Sequence, residues 1–139
     1  MKLHRLQFDF ERCGITPAIY TSNFIEHKST PKLKGLYSIW QGDDCIYVGQ
    51  GGGRGGIRKR FKHHYDKAYA LFETGTTDTV GWKEGRETSW WNPESWTVEY
   101  FECSSAVKRT YLEGVMLLLF NPYCNDETYE DRQVSKKTT

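Results

Sequence analysis

Residues 35–64, which read GLYSIWQGDDCIYVGQGGGRGGIRKRFKHH, decide the fold of this chain. Two runs of strand-forming residues, at 35–40 and 45–49, flank a short Gly/Asp break, and this pattern predicts a β-hairpin. A glycine-rich loop comes next. Apolar residues then recur at helical spacing from Ile57, which predicts a helix over 57–73.

Two further elements are expected downstream of this stretch. Residues 96–102 are rich in β-branched and aromatic side chains and predict a third strand. Ser104 or Ser105 then suits the N-cap of a helix over 105–120, which Pro122 ends. We therefore expect an α+β domain with a small three-stranded antiparallel sheet flanked by two helices.

The remaining segments give weaker signals. Leu6–Phe10 alternates apolar and polar residues, which predicts a short strand, and Ala18–Thr21 suits a further extended piece. Both lie in an N-terminal extension, residues 1–34, that is expected to pack on the core, the alternative being contact with a substrate. A polar insert at 74–95 brings several tryptophans close together in the sequence. They are Trp82, Trp90 and Trp91, with Trp96 nearby. They either cover a satellite core or stack on bases. The tail, residues 126–139, is expected to be flexible.

Composition limits the classes of protein to consider. The chain has 139 residues, of which 37% are hydrophobic and 15% aromatic, so it suits one folded domain rather than a disordered chain. It contains no apolar run of about 18 residues, so no membrane-spanning helix is expected. No signal peptide is expected either, since the start is not apolar. The four cysteines are scattered without a C-x-x-C pair, which argues against a zinc site or a disulfide framework and favours an intracellular location.

The basic residues are concentrated, although the net charge is only +1. Between Arg54 and Lys67 stand six lysine or arginine residues and one acidic residue. Such a run forms either a solvated helix face or, beside a glycine-rich loop, a surface that binds phosphates. Four residues of the run are the predicted DNA contacts. They are Arg54, Arg58, Lys59 and Lys62.

The hairpin carries two short motifs that resemble the signatures of the GIY-YIG nuclease superfamily. The first signature is met as Gly35-Leu36-Tyr37 and the second as Tyr47-Val48-Gly49. The spacing between them is that of the family's hairpin. Either tyrosine alone would be an ordinary strand residue, so the resemblance depends on matches farther along the chain.

Four later positions extend the resemblance in the family's order. The family's helix arginine, and the histidine or tyrosine four residues after it, match Arg60 and His64. The glutamate of its next helix matches Glu113, and the asparagine after that helix matches Asn125. The resemblance thus covers residues 35–125, which we expect to form the nuclease-like domain.

The resemblance implies a metal-dependent endonuclease that hydrolyses DNA phosphodiester bonds. Glu113 would be the ligand of one Mg²⁺ or Mn²⁺, and Arg60 would bind phosphate oxygens through its planar fork. Tyr37 would orient or deprotonate the attacking water, with Tyr47 and His64 within reach. Because an ordinary tyrosine has a pKa of about 10, that role needs a lowered pKa or a neighbouring base. Asn125 would hold the helix or the edge of the site.

Two alternatives stay open. One is a catalytically inactive protein of the same fold that serves as a DNA-binding or protein-interaction module. The other is an unrelated α+β phosphate-binding protein. A domain of this size has little room for a separate recognition module. DNA specificity would therefore come from the insert, the N-terminal extension, a homodimer or an accessory recognition protein, and homing, restriction and repair types are not distinguished.

Overall fold

The computed structural model of the protein describes residues 2–74, 92–123 and 125. Its helices are α1 (Gln7–Arg12), α2 (Gly56–Thr74) and α3 (Ala106–Phe120), with 3₁₀ turns at Lys2–Leu6, Phe24–Ser29 and Pro93–Ser95. Its strands are β1 (Tyr20–Asn23), β2 (Gly35–Gln41), β3 (Asp44–Gly51) and β4 (Thr97–Glu102). The α+β class expected from the sequence is confirmed.

The strand count expected from the sequence is wrong, because the described part of the chain forms an antiparallel sheet of four strands in the order β1-β4-β2-β3. The additional strand, β1, comes from the N-terminal extension. It pairs with β4 from Tyr20 opposite Tyr100 to Asn23 opposite Thr97. It overlaps the extended piece expected at Ala18–Thr21, but its side chains are mostly exposed, so its apolar pattern is too weak to mark it as a strand of the sheet. Backbone pairing and the stacking of Tyr20 on Tyr100, with ring centroids 5.4 Å apart, hold it in place.

The β2–β3 hairpin forms as predicted and lies between two apolar layers, one on each face of the sheet. Tyr37 and Ile39 pack with Phe61 of α2 on one face of the sheet. Leu36 and Trp40 pack on the other face, with apolar residues of α3 and of the N-terminal segment. Helices therefore cover both faces of the hairpin, which explains why the β2 residues from 35 to 40 are all buried.

The strand predicted at Leu6–Phe10 is wrong, since this segment is helical. Leu3, Leu6 and Phe10 are buried, whereas Phe8 is 66% exposed. Spacings of three and four residues place the buried side chains on one helix face, so the helical period prevails over the alternation. The segment is anchored at its start by the buried carboxylate of Glu99, which accepts the backbone N–H groups of residues 2 and 3 at 3.0 and 2.9 Å.

Helix α3 begins and ends close to where the sequence places it. Ser105 is the N-cap, and its hydroxyl accepts the Lys108 N–H at 3.3 Å. The helix ends at Phe120 and is followed by Asn121 in the left-handed conformation, with φ of 44°. In the part of the chain that the structure describes, no helix combines the length and apolar character needed to cross a membrane.

Of the tryptophans in and near the insert, Trp96 belongs to the core and is not available to bases. It is fully buried against Phe24, with ring centroids 5.4 Å apart, and its Nε1 donates to Gln41 Oε1 at 2.7 Å. Gln41 Oε1 also accepts the Asn92 N–H at 2.9 Å, which ties the end of the insert to the hairpin. Trp82, Trp90 and Trp91, like the tail at 126–139, lie outside the described residues.

Candidate active site

A cleft of about 180 Å³ opens beside β3, where this strand meets α2 and α3. The residues that line it come from these three elements and from the segment after α3. They are Tyr47, Val48, Gly49, Gln50, Arg60, Glu113, Leu117 and Asn125. The fold thus gathers a guanidinium, a carboxylate, a phenol and two carboxamides around one small open space. Four of the six predicted catalytic residues line this cleft.

The other two predicted catalytic residues, Tyr37 and His64, form a buried pair and do not line the cleft. Tyr37 is fully buried and His64 is only 3% exposed. The Tyr37 hydroxyl and His64 Nε2 share a hydrogen bond of 2.7 Å. The imidazole ring lies against Tyr47, with ring centroids 4.2 Å apart, so the pair contacts a cleft residue through its rings.

Burial decides the protonation of this pair. Desolvation, with a smaller effect from the Arg60 charge, holds the pKa of His64 well below its ordinary value, so the imidazole is neutral at neutral pH. Desolvation also raises the pKa of Tyr37, with Tyr47 adding to the effect and Arg60 opposing it. The lowered pKa that Tyr37 would need as a base is therefore absent, and its hydroxyl keeps its proton.

The close packing of the two tyrosines depends on a glycine. Gly49 lies opposite Tyr37 in the hairpin register. A Cβ atom at Gly49 would lie 2.5 Å from the Tyr37 hydroxyl oxygen and 2.9 Å from Tyr47 Cε1. Because real Cβ atoms do not approach other atoms so closely, only glycine lets both rings occupy this face. The Tyr-Val-Gly motif is thus explained by packing at the site.

Arg60 connects the buried pair with the cleft. It lies on α2, is half-buried and lines the cleft. The neighbouring phenol of Tyr37 is the main cause that raises the pKa of Arg60, so the guanidinium is charged at every working pH. Its buried Nε has no hydrogen-bond partner among the described residues. An unpaired buried donor costs about 1–3 kcal/mol, a cost that an anion bound in the cleft would remove.

The carboxylate of Glu113 reaches the cleft from α3 and is held through a bridging amide. Gln50 Nε2 donates to Glu113 Oε1 at 3.5 Å, and Gln50 Oε1 accepts from Arg109 Nε at 3.1 Å. Arg109 is buried and lies one helical turn before Glu113. This chain of contacts orients the Gln50 amide and directs its NH₂ group at the carboxylate.

The oxygen chemistry of the cleft fits one kind of metal ion. Within residues 2–74, 92–123 and 125, no group of three or more His, Cys, Asp or Glu side chains could hold a metal. Mg²⁺ commonly takes one or two carboxylates and completes its shell with water and substrate phosphates. A single half-buried carboxylate in an open cleft, that of Glu113, meets this need, and Mn²⁺ has the same preference for oxygen ligands.

Asn125 closes one edge of the cleft with its side chain. Its Oδ1 accepts the Val48 N–H at 2.9 Å, and its Nδ2 donates to the Val48 carbonyl at 2.6 Å. The amide thus pairs with β3 much as a neighbouring strand would. Both ends of the amide are engaged with the backbone, so Asn125 holds the cleft edge and is not oriented toward a ligand.

The four predicted DNA contacts differ in exposure and in their partners. Arg54 and Lys59 are exposed. Arg58 Nε donates to the Thr30 carbonyl, and Lys62 pairs with Asp66 at 2.9 Å. Since successive helix residues turn by about 100°, Arg58 and Lys62 lie about 160° around α2 from Arg60. They face away from the cleft.

Two other basic residues lie on the cleft side of α2. By the same geometry, Lys67 and His63 lie about 20° and 60° around the helix from Arg60. Both contribute to lowering the pKa of His64, the buried partner of Tyr37. Lys67 belongs to the basic run seen in the sequence, but was not among the predicted contacts, because clustering in sequence does not identify the helix face.

Gln50 and Arg109, whose side chains lead to Glu113, are not among the site residues expected from the sequence. One signal was available, since Arg109 precedes Glu113 by four residues and must share its helix face. Comparison of the chain with known protein families, with curated proteins and with solved structures finds no match. The geometry of the cleft is therefore the basis for assigning a function.

Proposed function

We propose that the protein is a metal-dependent endonuclease that hydrolyses DNA phosphodiester bonds, with the GIY-YIG-like arrangement that its motifs resemble. The observation that carries this proposal is the convergence of Tyr47, Arg60 and Glu113 on one cleft. Tyr47 and Arg60 come from the consecutive elements β3 and α2, whereas Glu113 comes from α3, far along the chain. Phosphodiester hydrolysis needs a group that binds the phosphate, a group that holds the cation and a group that orients water.

Arg60 is the phosphate-binding residue in this proposal. Its charge is permanent, and its buried Nε has no hydrogen-bond partner among the described residues. A phosphate oxygen in the cleft would accept from this donor. Because the guanidinium interacts with the phenols of Tyr37 and Tyr47, it would stabilise the charge that grows on the phosphoryl oxygens without rearranging.

Glu113 would hold the divalent cation, Mg²⁺ or Mn²⁺. When bound, such an ion supplies Lewis-acid stabilisation of the phosphate charge. Gln50 donates toward Oε1 of Glu113 and thereby restrains the direction of the carboxylate. Arg109 in turn fixes the orientation of the Gln50 amide.

Tyr47 would orient the attacking water, since its phenol lines the cleft. Tyr37 has a different role from the one expected from the sequence. With a raised pKa and no place in the lining, it is proposed as a positioning residue that acts through His64 and the stacked rings. Its hydroxyl holds the neutral imidazole, and that imidazole packs on the ring of Tyr47.

A second candidate is a catalytically inactive module that binds nucleic-acid phosphates. It is favoured by the raised pKa of Tyr37, which leaves this tyrosine unable to deprotonate water. Incubation of the protein with supercoiled plasmid separates the two candidates. The endonuclease should convert the plasmid to nicked circles in Mg²⁺ and leave it intact in EDTA. Plasmid that is bound but stays supercoiled in both Mg²⁺ and Mn²⁺ would favour the inactive module.

A further inference from the structure

We infer that Arg109, beside Gly52, forms a second anion subsite next to the cleft, which takes a phosphate group of a nucleic-acid backbone. This inference rests on the proposed function and extends it to a substrate contact that the resemblance does not supply. The Arg109 side chain is only 6% exposed.

The hydrogen bonds of Arg109 leave one end of the guanidinium open. Nη1 donates to the carbonyls of Cys103 and Ser104, both at 2.9 Å, and Nε donates to Gln50 Oε1 at 3.1 Å. Among the described residues, Nη2 has no partner and no carboxylate forms an ion pair with Arg109. A buried charge is costly when its partners are neutral, so the guanidinium retains a strong preference for an anion.

The open end lies under the glycine-rich loop. A Cβ atom at Gly52 would lie 2.8 Å from Arg109 Nη2 and 3.3 Å from its Cζ. Gly52 itself is exposed. The absence of a side chain at this position therefore leaves Nη2 uncovered on this side, where a phosphate oxygen could accept from its N–H groups.

Gln50 joins this subsite to the cleft. Its Oε1 accepts from Arg109, and its Nε2 donates toward Glu113. A phosphate at Arg109 would thus lie one side chain away from the phosphate in the cleft. We expect the two sites to take phosphates of the same strand, with Arg60 holding one and Arg109 the other.

Two glycine variants in the same loop test the subsite. Gly52→Ala places a methyl group on the guanidinium, whereas a Cβ at Gly53 would meet nothing within 4 Å, so Gly53→Ala is the matched control. Affinity for a DNA duplex is measured by fluorescence anisotropy in EDTA over a series of NaCl concentrations. We expect Gly52→Ala to weaken binding at least about tenfold and to reduce the salt slope by about 0.9, the value for one phosphate contact. Gly53→Ala should match the wild type.

Inorganic phosphate is the second probe and separates the subsite from the nuclease function. At constant ionic strength, phosphate should shift the NMR signals of Arg109 Nε–H and of the backbone amide of residue 52 in the wild type but not in Gly52→Ala. If no variant binds DNA while these shifts occur, the subsite stands and the DNA function fails.

The opposite results would overturn the inference. If Gly52→Ala lowers only the melting temperature and binds both probes as well as Gly53→Ala does, Arg109 is purely structural. If the wild type shows no shift at Arg109 with inorganic phosphate and its DNA affinity does not depend on Gly52, there is no subsite.

Discussion

Removal of one hydroxyl from each tyrosine of the site separates positioning from chemistry. Tyr37→Phe deletes the group that shares the 2.7 Å hydrogen bond with His64 Nε2, in a fully buried place. Tyr47→Phe deletes a hydroxyl from a residue that lines the cleft. The two substitutions are chemically identical, so each is the control for the other.

The two substitutions should differ in their effect on nicking, because Tyr47 lines the cleft and Tyr37 does not. Loss of a buried hydrogen bond that leaves a polar atom behind costs about 1–3 kcal/mol of the free energy of unfolding. For a domain of this size, Tyr37→Phe should therefore lower the melting temperature by several degrees. Tyr47→Phe should reduce single-turnover nicking by about 10²-fold, the lower end of the range for a group that acts directly on the reacting water.

Calorimetry and single-turnover plasmid nicking in Mg²⁺ measure the two effects on the same preparations. Nicking by Tyr37→Phe should fall less than nicking by Tyr47→Phe. A Tyr37→Phe protein with an unchanged melting temperature and a 10²-fold loss of nicking, beside a fully active Tyr47→Phe protein, would refute the assignment and return the water-handling role to Tyr37.

Three further outcomes are expected. Burial lowers the folded-state pKa of His64 below its unfolded value of about 6.5, so the unfolded state binds a proton on this imidazole first as the pH falls. The free energy of unfolding should therefore fall as pH drops below about 6.5. Urea titrations should show a weaker fall in His64→Gln. Arg60→Lys keeps the charge but loses the planar fork, so nicking should drop at least tenfold at unchanged fold by circular dichroism, and an active variant would reduce Arg60 to general electrostatics. Lys67→Ala should reduce the salt slope of DNA binding by about 0.9. Lys62→Ala should leave the slope unchanged, because Lys62 faces away from the cleft and pairs with Asp66. Equal slopes for the two variants would contradict the assignment of helix faces.

The elements that the sequence predicted correctly are those whose signals are local. The hairpin has two apolar runs around a turn, and α3 has a serine cap before a helical apolar pattern. By contrast, β1 is short and mostly exposed, and it exists because β4 offers it a partner. The segment Leu6–Phe10 is compatible with both the strand period of two and the helical period of about 3.6. Only its contact with the sheet shows that the helical period buries Leu6 and Phe10 in the core.

The same distinction applies to the site. Motif order pointed to Tyr47, Arg60 and Glu113, and the fold brings these three residues together. The depth of Tyr37 depends on packing from α2 and could not be read from its place in a strand. In the sequence Arg109 is only a basic residue near the start of a helix, whereas in the structure its guanidinium donates to the carbonyl groups of Cys103 and Ser104.

Removing the charge of the Glu113 carboxylate tests the proposed function most directly. Single-turnover nicking of supercoiled plasmid in Mg²⁺ is compared for the wild type, Glu113→Gln and Glu102→Gln, the last being an exposed carboxylate on β4 outside the cleft. The endonuclease proposal expects Glu113→Gln to lose at least about 10²-fold in rate, with its melting temperature and its DNA affinity in EDTA unchanged, and expects Glu102→Gln to remain fully active. Nicking by Glu113→Gln at the wild-type rate would contradict the proposal that this cleft cleaves DNA.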